Sequence, residues 1–127
     1  MTFYAELARQ FSFESAHYLP NVPEGHKCGR MHGHSYTVEV QVRGAVDEDT
    51  GFVQDFGDLS AAFAPIGKQL DHRLLNEIDG LENPTSEHLA RWLWERLSGE
   101  LPLLHTIVVS ETPRSRCTYR GQSNGGE

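Results

Sequence analysis

The chain has 127 residues, enough for one domain with a real core. Eleven basic against eighteen acidic residues leave a net charge of −7, which argues against the basic face of a general nucleic-acid binder. No apolar run approaches the roughly 20 residues that span a bilayer, and no basic-then-apolar leader opens the sequence, so a cytoplasmic protein with free thiols at Cys28 and Cys117 is expected.

The first predicted strand covers residues 6–17. Phe11 and Phe13 alternate with polar neighbours, and His17 shares their parity. Residues 19–30 hold two prolines and two glycines and read as loop. A second strand is predicted over 31–43. Tyr36, Val38, Val40 and Val42 share one face, and His32 and His34 begin that same inward face. Residues 46–51 form a turn. Asp55 or Asp58 caps a helix in which Leu59, Phe63, Ile66 and Leu70 recur at helical spacing. Pro65 falls inside it, which predicts a kink or a late start. A second helix starts at the Thr85 cap, with Glu87 in its first turn and Leu89, Trp92, Leu93 and Leu97 as its apolar stripe. Gly99 and Pro102 end it. Strands over 106–111 and 116–120 close the series. The last carries Cys117, read as a small buried residue.

The order β-β-α-α-β-β predicts an α+β fold: an antiparallel sheet with two helices on one face. Four strands leave two open edges, and open edges are often managed by pairing with another copy, so an oligomeric barrel is expected. Residues 1–120 read as a single domain and residues 121–127 as a disordered tail.

Three histidines carry the chemistry. His32 and His34 point to one face of a strand, and His17 on the neighbouring strand completes a three-nitrogen group. Three protein ligands and an open position are the arrangement of catalytic zinc. Any one of these histidines alone would read as a satisfied core residue; the His-Gly-His spacing and shared parity favour a metal site. Cys28 lies four residues before His32. It reads as a fourth ligand, as an inert buried thiol, or as a reactive thiolate favoured by Lys27 and Arg30. Asp71 beside His72 can orient an imidazole, but adjacent residues in a helix point about 100° apart, so a direct pair needs non-helical geometry or a bridging backbone. A solvated helix end explains that pair equally well. Glu111 shares the parity of Ile107 and Val109 and needs a partner on an apolar face. Either Arg114 or Arg116, or a ligand with two parallel N–H groups, would serve. His26, His88 and His105 lack ligand spacing and read as surface or core fillers.

The segments Phe11-Ser-Phe-Glu-Ser-Ala-His17, Cys28-Gly-Arg-Met-His32-Gly-His34 and Gly51-Phe-Val-Gln-Asp-Phe56 occur in that order. Leu70-Asp-His-Arg-Leu-Leu-Asn76, Asn83-Pro-Thr-Ser-Glu87 and the run from Glu111 to Gly121 follow. Together they resemble the 6-pyruvoyl-tetrahydropterin synthase superfamily over almost the whole chain, and within it the bacterial 6-carboxytetrahydropterin synthase branch. The resemblance implies the tunnelling fold (T-fold), with subunits joined into barrels and stacked as a hexamer, a dimer of trimers. It implies Zn2+ on His17, His32 and His34, and Cys28 as catalytic base working with Asp71 and His72 of the same or a neighbouring subunit. It implies Glu111 as the anchor of a pterin ring. The substrate implied is 7,8-dihydroneopterin triphosphate, cleaved to 6-carboxy-5,6,7,8-tetrahydropterin, acetaldehyde and triphosphate in queuosine biosynthesis. Lys27 and Arg30 are candidate triphosphate contacts; no nucleic acid or membrane partner is implied.

Three other functions compete. A 6-pyruvoyl-tetrahydropterin synthase would share fold and metal, but the animal-type enzymes of the family carry a longer insert between the Cys and the His pair. A zinc-stabilised pterin-binding module without turnover is the second. A pterin-binding aldolase of the same fold fits poorly, on the expectation that such enzymes lack the three histidines.

Overall fold

The computed structural model describes residues 2–121. The expected tail therefore lies outside the described residues, except for Gly121. Five strands form one sheet: β1 (Tyr4–His17), β2 (His32–Ala45), β3 (Arg73–Leu74), β4 (Leu104–Thr112) and β5 (Ser115–Tyr119). Two helices, α1 (Phe56–Leu70) and α2 (Ser86–Leu97), complete the fold. The sheet order is β3-β1-β2-β4-β5.

β1 and β2 pair antiparallel along their whole length, from Tyr4↔Ala45 to His17↔His32. That register sets Phe13 opposite Tyr36, with rings stacked at 4.9 Å, and Ser15 opposite His34. Paired residues share a face, so Phe11, Phe13, Tyr36, Val38, Ile107 and Val109 point together into the core. α1 lays Phe63 on Phe11, ring centroids 4.3 Å apart. Leu89, Leu93 and Leu97 of α2 enter the same buried cluster, which places both helices on one sheet face.

Two expectations need correction. The sheet is mixed rather than wholly antiparallel, because β3 adds to β1 in parallel at Ser15↔Arg73 and Ala16↔Leu74. A two-residue strand leaves no periodicity to read. α1 does not start late at Pro65 but runs through it. Asp55 fixes the start by accepting the Gly57 N–H at 2.7 Å. Pro65 sits on the exposed side of α1, where the carbonyl that loses its donor faces water.

β3 covers only Ser15 and Ala16 of the outer edge of β1. The rest of that 14-residue strand is paired on one side alone among the described residues.

Candidate active site

The site lies at the end of the core where β1 stops and β2 starts. His17 ends β1, His32 opens β2, and the strand pairing sets them side by side. His34 follows on the same face, and the ligand atoms of the three rings lie within 4.8 Å of one another. His17 is buried; His32 and His34 are half-buried.

Backbone carbonyls fix the tautomers of two of these rings. His17 Nδ1 lies 2.8 Å from the Pro84 carbonyl oxygen, and His32 Nδ1 lies 2.6 Å from that of Arg30. A carbonyl only accepts, so each Nδ1 carries the proton and each neutral ring has a bare Nε2. Those two Nε2 atoms face each other at 3.1 Å. Neither can donate to the other unless one ring takes a second proton. Burial lowers the pKa of His17, with the neighbouring histidines adding to the effect against the Pro84 carbonyl and Glu111. His34 is lowered by the same burial, and its Nε2 is buried without a hydrogen-bond partner among the described residues. Two bare nitrogens with the His34 ring beside them fit a divalent cation. Two imidazole nitrogens on a tetrahedral ion with bonds of about 2.0–2.1 Å stand about 3.3 Å apart, close to the spacing found.

The histidines line a cavity of about 460 Å³ together with Lys27, Cys28 and Glu111. Cys28 stands outside the three-nitrogen cluster and lines the same cavity. It sits in a short 3-10 turn, Lys27–Gly29, whose start is capped by His26: the Cys28 N–H donates to His26 Nδ1 at 3.0 Å. His26 is thus a structural cap. His88 and His105 bond to the Asn83 carbonyl and to Thr106 and do not line the cavity.

Glu111 ends the inward face of β4 and turns away from the basic residues after it. Among the described residues it pairs with neither Arg114 nor Arg116. Its Oε2 accepts from the Ser86 hydroxyl at 2.9 Å, and its Oε1 lies 3.7 Å from His34 Nε2. Ser86 is the first residue of α2 after the Thr85 cap, so the positive end of the helix faces the carboxylate. The Tyr36 hydroxyl is buried beneath the histidines without a partner among the described residues; burial and the Glu111 charge keep it a neutral phenol.

Neither Asp71 nor His72 lines the first cavity; His72 lines a second hollow. α1 ends at Leu70, Asp71 is extended, and His72 takes a left-handed φ of 57°. That break supplies the non-helical geometry a direct pair needs, and Asp71 Oδ2 accepts from His72 Nδ1 at 2.9 Å. The His72 side chain is 78 % exposed. It borders a hollow of about 530 Å³ with Glu14, Ser35 and the other side of His34. One chain therefore presents the Cys28 thiol and the His72 imidazole in two hollows that share only His34.

Several supporting residues were not anticipated. Ser86 and the carbonyls of Pro84 and Arg30 act across 25, 67 and 2 residues of sequence. Asn76 clamps the residue after His17: its amide oxygen accepts from the Tyr18 N–H at 3.0 Å and its NH₂ donates to the Tyr18 carbonyl at 2.8 Å. A polar side chain four residues beyond the Asp71-His72 pair was the only available signal for Asn76.

The family model for 6-pyruvoyl tetrahydropterin synthase matches residues 6–122, and the chain belongs to that family. A relative from Synechocystis sp., named 6-carboxy-5,6,7,8-tetrahydropterin synthase, is 44% identical over 117 residues, 87% of this chain and 89% of the relative. One from Pyrococcus furiosus, named dihydroneopterin monophosphate aldolase, is 37% identical over 98 residues, 77% of this chain and 79% of the relative. The solved structure of Caenorhabditis elegans 6-pyruvoyl tetrahydropterin synthase superposes with a TM-score of 0.86 at 28% identity, covering 94% of this chain and 96% of that one.

Proposed function

We propose that the protein is a zinc-dependent carbon–carbon lyase. It converts 7,8-dihydroneopterin triphosphate to 6-carboxy-5,6,7,8-tetrahydropterin, with release of acetaldehyde and triphosphate, in queuosine (7-deazapurine) biosynthesis. The observation that carries this reading is the pair of bare nitrogens on His17 and His32 facing each other at 3.1 Å in a cavity that also holds Cys28 and Glu111. The name of the Synechocystis relative supports the same product.

Each residue has a chemical task. Glu111, held by Ser86, accepts two parallel N–H bonds from the pterin ring edge. Cys28, as thiolate, removes a proton from the substrate side chain. His72, oriented by Asp71, relays protons. Zinc on His17, His32 and His34, when bound, supplies Lewis-acid stabilisation of negative charge developing on the side-chain oxygens. Because Cys28 and His72 line different hollows of one chain, a complete site takes His72, with the Asp71 that orients it, from a neighbouring copy. The open edge of β1 offers the seam, and the assembly proposed is a barrel hexamer, a dimer of trimers. The reading takes residues 1–120 as one domain of a cytoplasmic enzyme. No helix among the described residues is long and apolar enough to cross a membrane.

The test is a product assay on zinc-loaded protein given 7,8-dihydroneopterin triphosphate, read by mass spectrometry. A 6-carboxy pterin with acetaldehyde is expected. A pyruvoyl pterin would move the chain to the activity of the C. elegans enzyme. A hydroxymethyl pterin would move it to aldolase chemistry, a reaction class to which the Pyrococcus relative gives weight that the sequence motifs alone did not. Zinc bound without turnover would leave a pterin-binding module.

A further inference from the structure

The cavity around the histidines carries two permanent charges of opposite sign. Among the described residues that line it, Lys27 is the only lysine or arginine and Glu111 the only carboxylate. Arg30 is a second basic residue only three positions on, yet it borders a different hollow with Tyr18, Pro23 and His26. The turn that carries Lys27 is pinned. The Cys28 carbonyl accepts the Leu19 N–H at 2.8 Å, the Lys27 carbonyl accepts the Arg30 N–H at 3.2 Å, and His26 caps the Cys28 N–H. Lys27 therefore stays beside Cys28 on the cavity wall, and its ammonium has no ion-pair partner among the described residues.

We propose that Lys27 is a specificity-determining residue that takes the phosphate end of the substrate. This deepens the pterin reading above and rests on it. The charges sort the ligand: the N–H-rich ring edge goes to Glu111 and the polyanionic chain to Lys27. A chain of net charge −7 repels a free polyphosphate at long range, so a local cation is needed to hold one. Arg30 takes no part, because it borders another hollow.

The experiment compares two unreactive ligands, neopterin triphosphate and neopterin, by quenching of pterin fluorescence on the zinc-loaded protein. The wild type should bind the triphosphate about tenfold more tightly than neopterin, with the advantage shrinking as salt rises. Lys27→Gln should abolish the advantage and leave neopterin binding unchanged, and Lys68→Gln on α1 should alter neither. Loss of the advantage in Arg30→Gln with retention in Lys27→Gln would overturn the assignment. So would equal binding of the two ligands by the wild type, which leaves the pterin reading standing. Binding of neither ligand by folded, zinc-loaded wild type would refute the pterin reading and this assignment with it.

Discussion

Asp71 and His72 are joined carboxylate to imidazole, Oδ2 to Nδ1 at 2.9 Å, while the other oxygen of Asp71 accepts the Glu14 N–H at 2.9 Å. One carboxylate thus anchors the end of α1 to β1 and aims a histidine. The two hydrogen bonds hold the Asp71 carboxyl below its ordinary value of 3.8, the Glu14 N–H contributing most. A depressed carboxyl stabilises the fold above its unfolded pKa, and that contribution is lost as pH falls through the folded value. Asp71→Asn should therefore be less stable than wild type at pH 7, with the gap closing below about pH 4. Urea midpoints at pH 7 and pH 3 measure it. In turnover, the same variant should lose about 10²-fold or more in kcat, because His72 loses its orientation.

The histidine cluster gives a pH dependence of its own. Burial holds His17 and His34 below the ordinary 6.5. The unfolded chain takes up protons near that value and the folded site refuses them, so metal-free protein should lose stability as pH falls from 7.5 through 6.5. Denaturant titrations of the metal-free protein at pH 7.5 and 5.5 should show the lower midpoint at 5.5. His32→Ala, which removes one of three ligands, should bind zinc at least about 100-fold more weakly by equilibrium dialysis.

How much of this was legible in the sequence follows the length over which each signal acts. Strand parity is local, and it put His17, His32, His34 and Glu111 on one face. The cap at Thr85 and the stripe on α2 were equally local. Contacts made by single polar atoms across the chain left no pattern: Ser86 on Glu111, Pro84 on His17, Asn76 on Tyr18. Asp71–His72 lay between these cases. The sequence stated the geometry that the pair required, and only the left-handed backbone of His72 supplied it. β3 escaped because two residues are too few for a period.

Thr85 accepts the His88 N–H at 3.1 Å and thereby fixes the start of α2, one residue from Pro84 and one from Ser86. Thr85→Ala should cost about 1 kcal/mol of stability. It should also weaken binding of a pterin at Glu111, since the helix start that presents Ser86 loosens. Thermal denaturation and neopterin titration on the same sample separate the two effects.

Gly121 has φ +76° and lies under Trp94, where an added Cβ would stand 2.4 Å from Cζ2. Trp94 in turn meets Tyr119 edge-on at 5.8 Å. Gly121→Ala should destabilise by about 1–3 kcal/mol through backbone strain and overpacking together. A lowered urea midpoint with unchanged zinc stoichiometry is the expected result.

Cys117 should react slowly. Burial, then the nearby Glu87 charge, push its thiol up from the ordinary value of 9.0. With iodoacetamide at pH 8, metal-free protein should be alkylated at Cys28 before Cys117, as read by peptide mass mapping.

The protons that leave His17 and His32 open to a cation are held by peptide oxygens rather than side chains. Every amino acid carries that oxygen, so the identity of residues 84 and 30 matters only through the route it gives the main chain. Substitutions that preserve the route keep the donor nitrogens ready; a shift of either loop by an ångström disarms them while all three histidines remain. Readiness for metal is thus inherited with the path of the polypeptide, and a search for lost function in natural variants should look at loop length around these positions as closely as at the histidines.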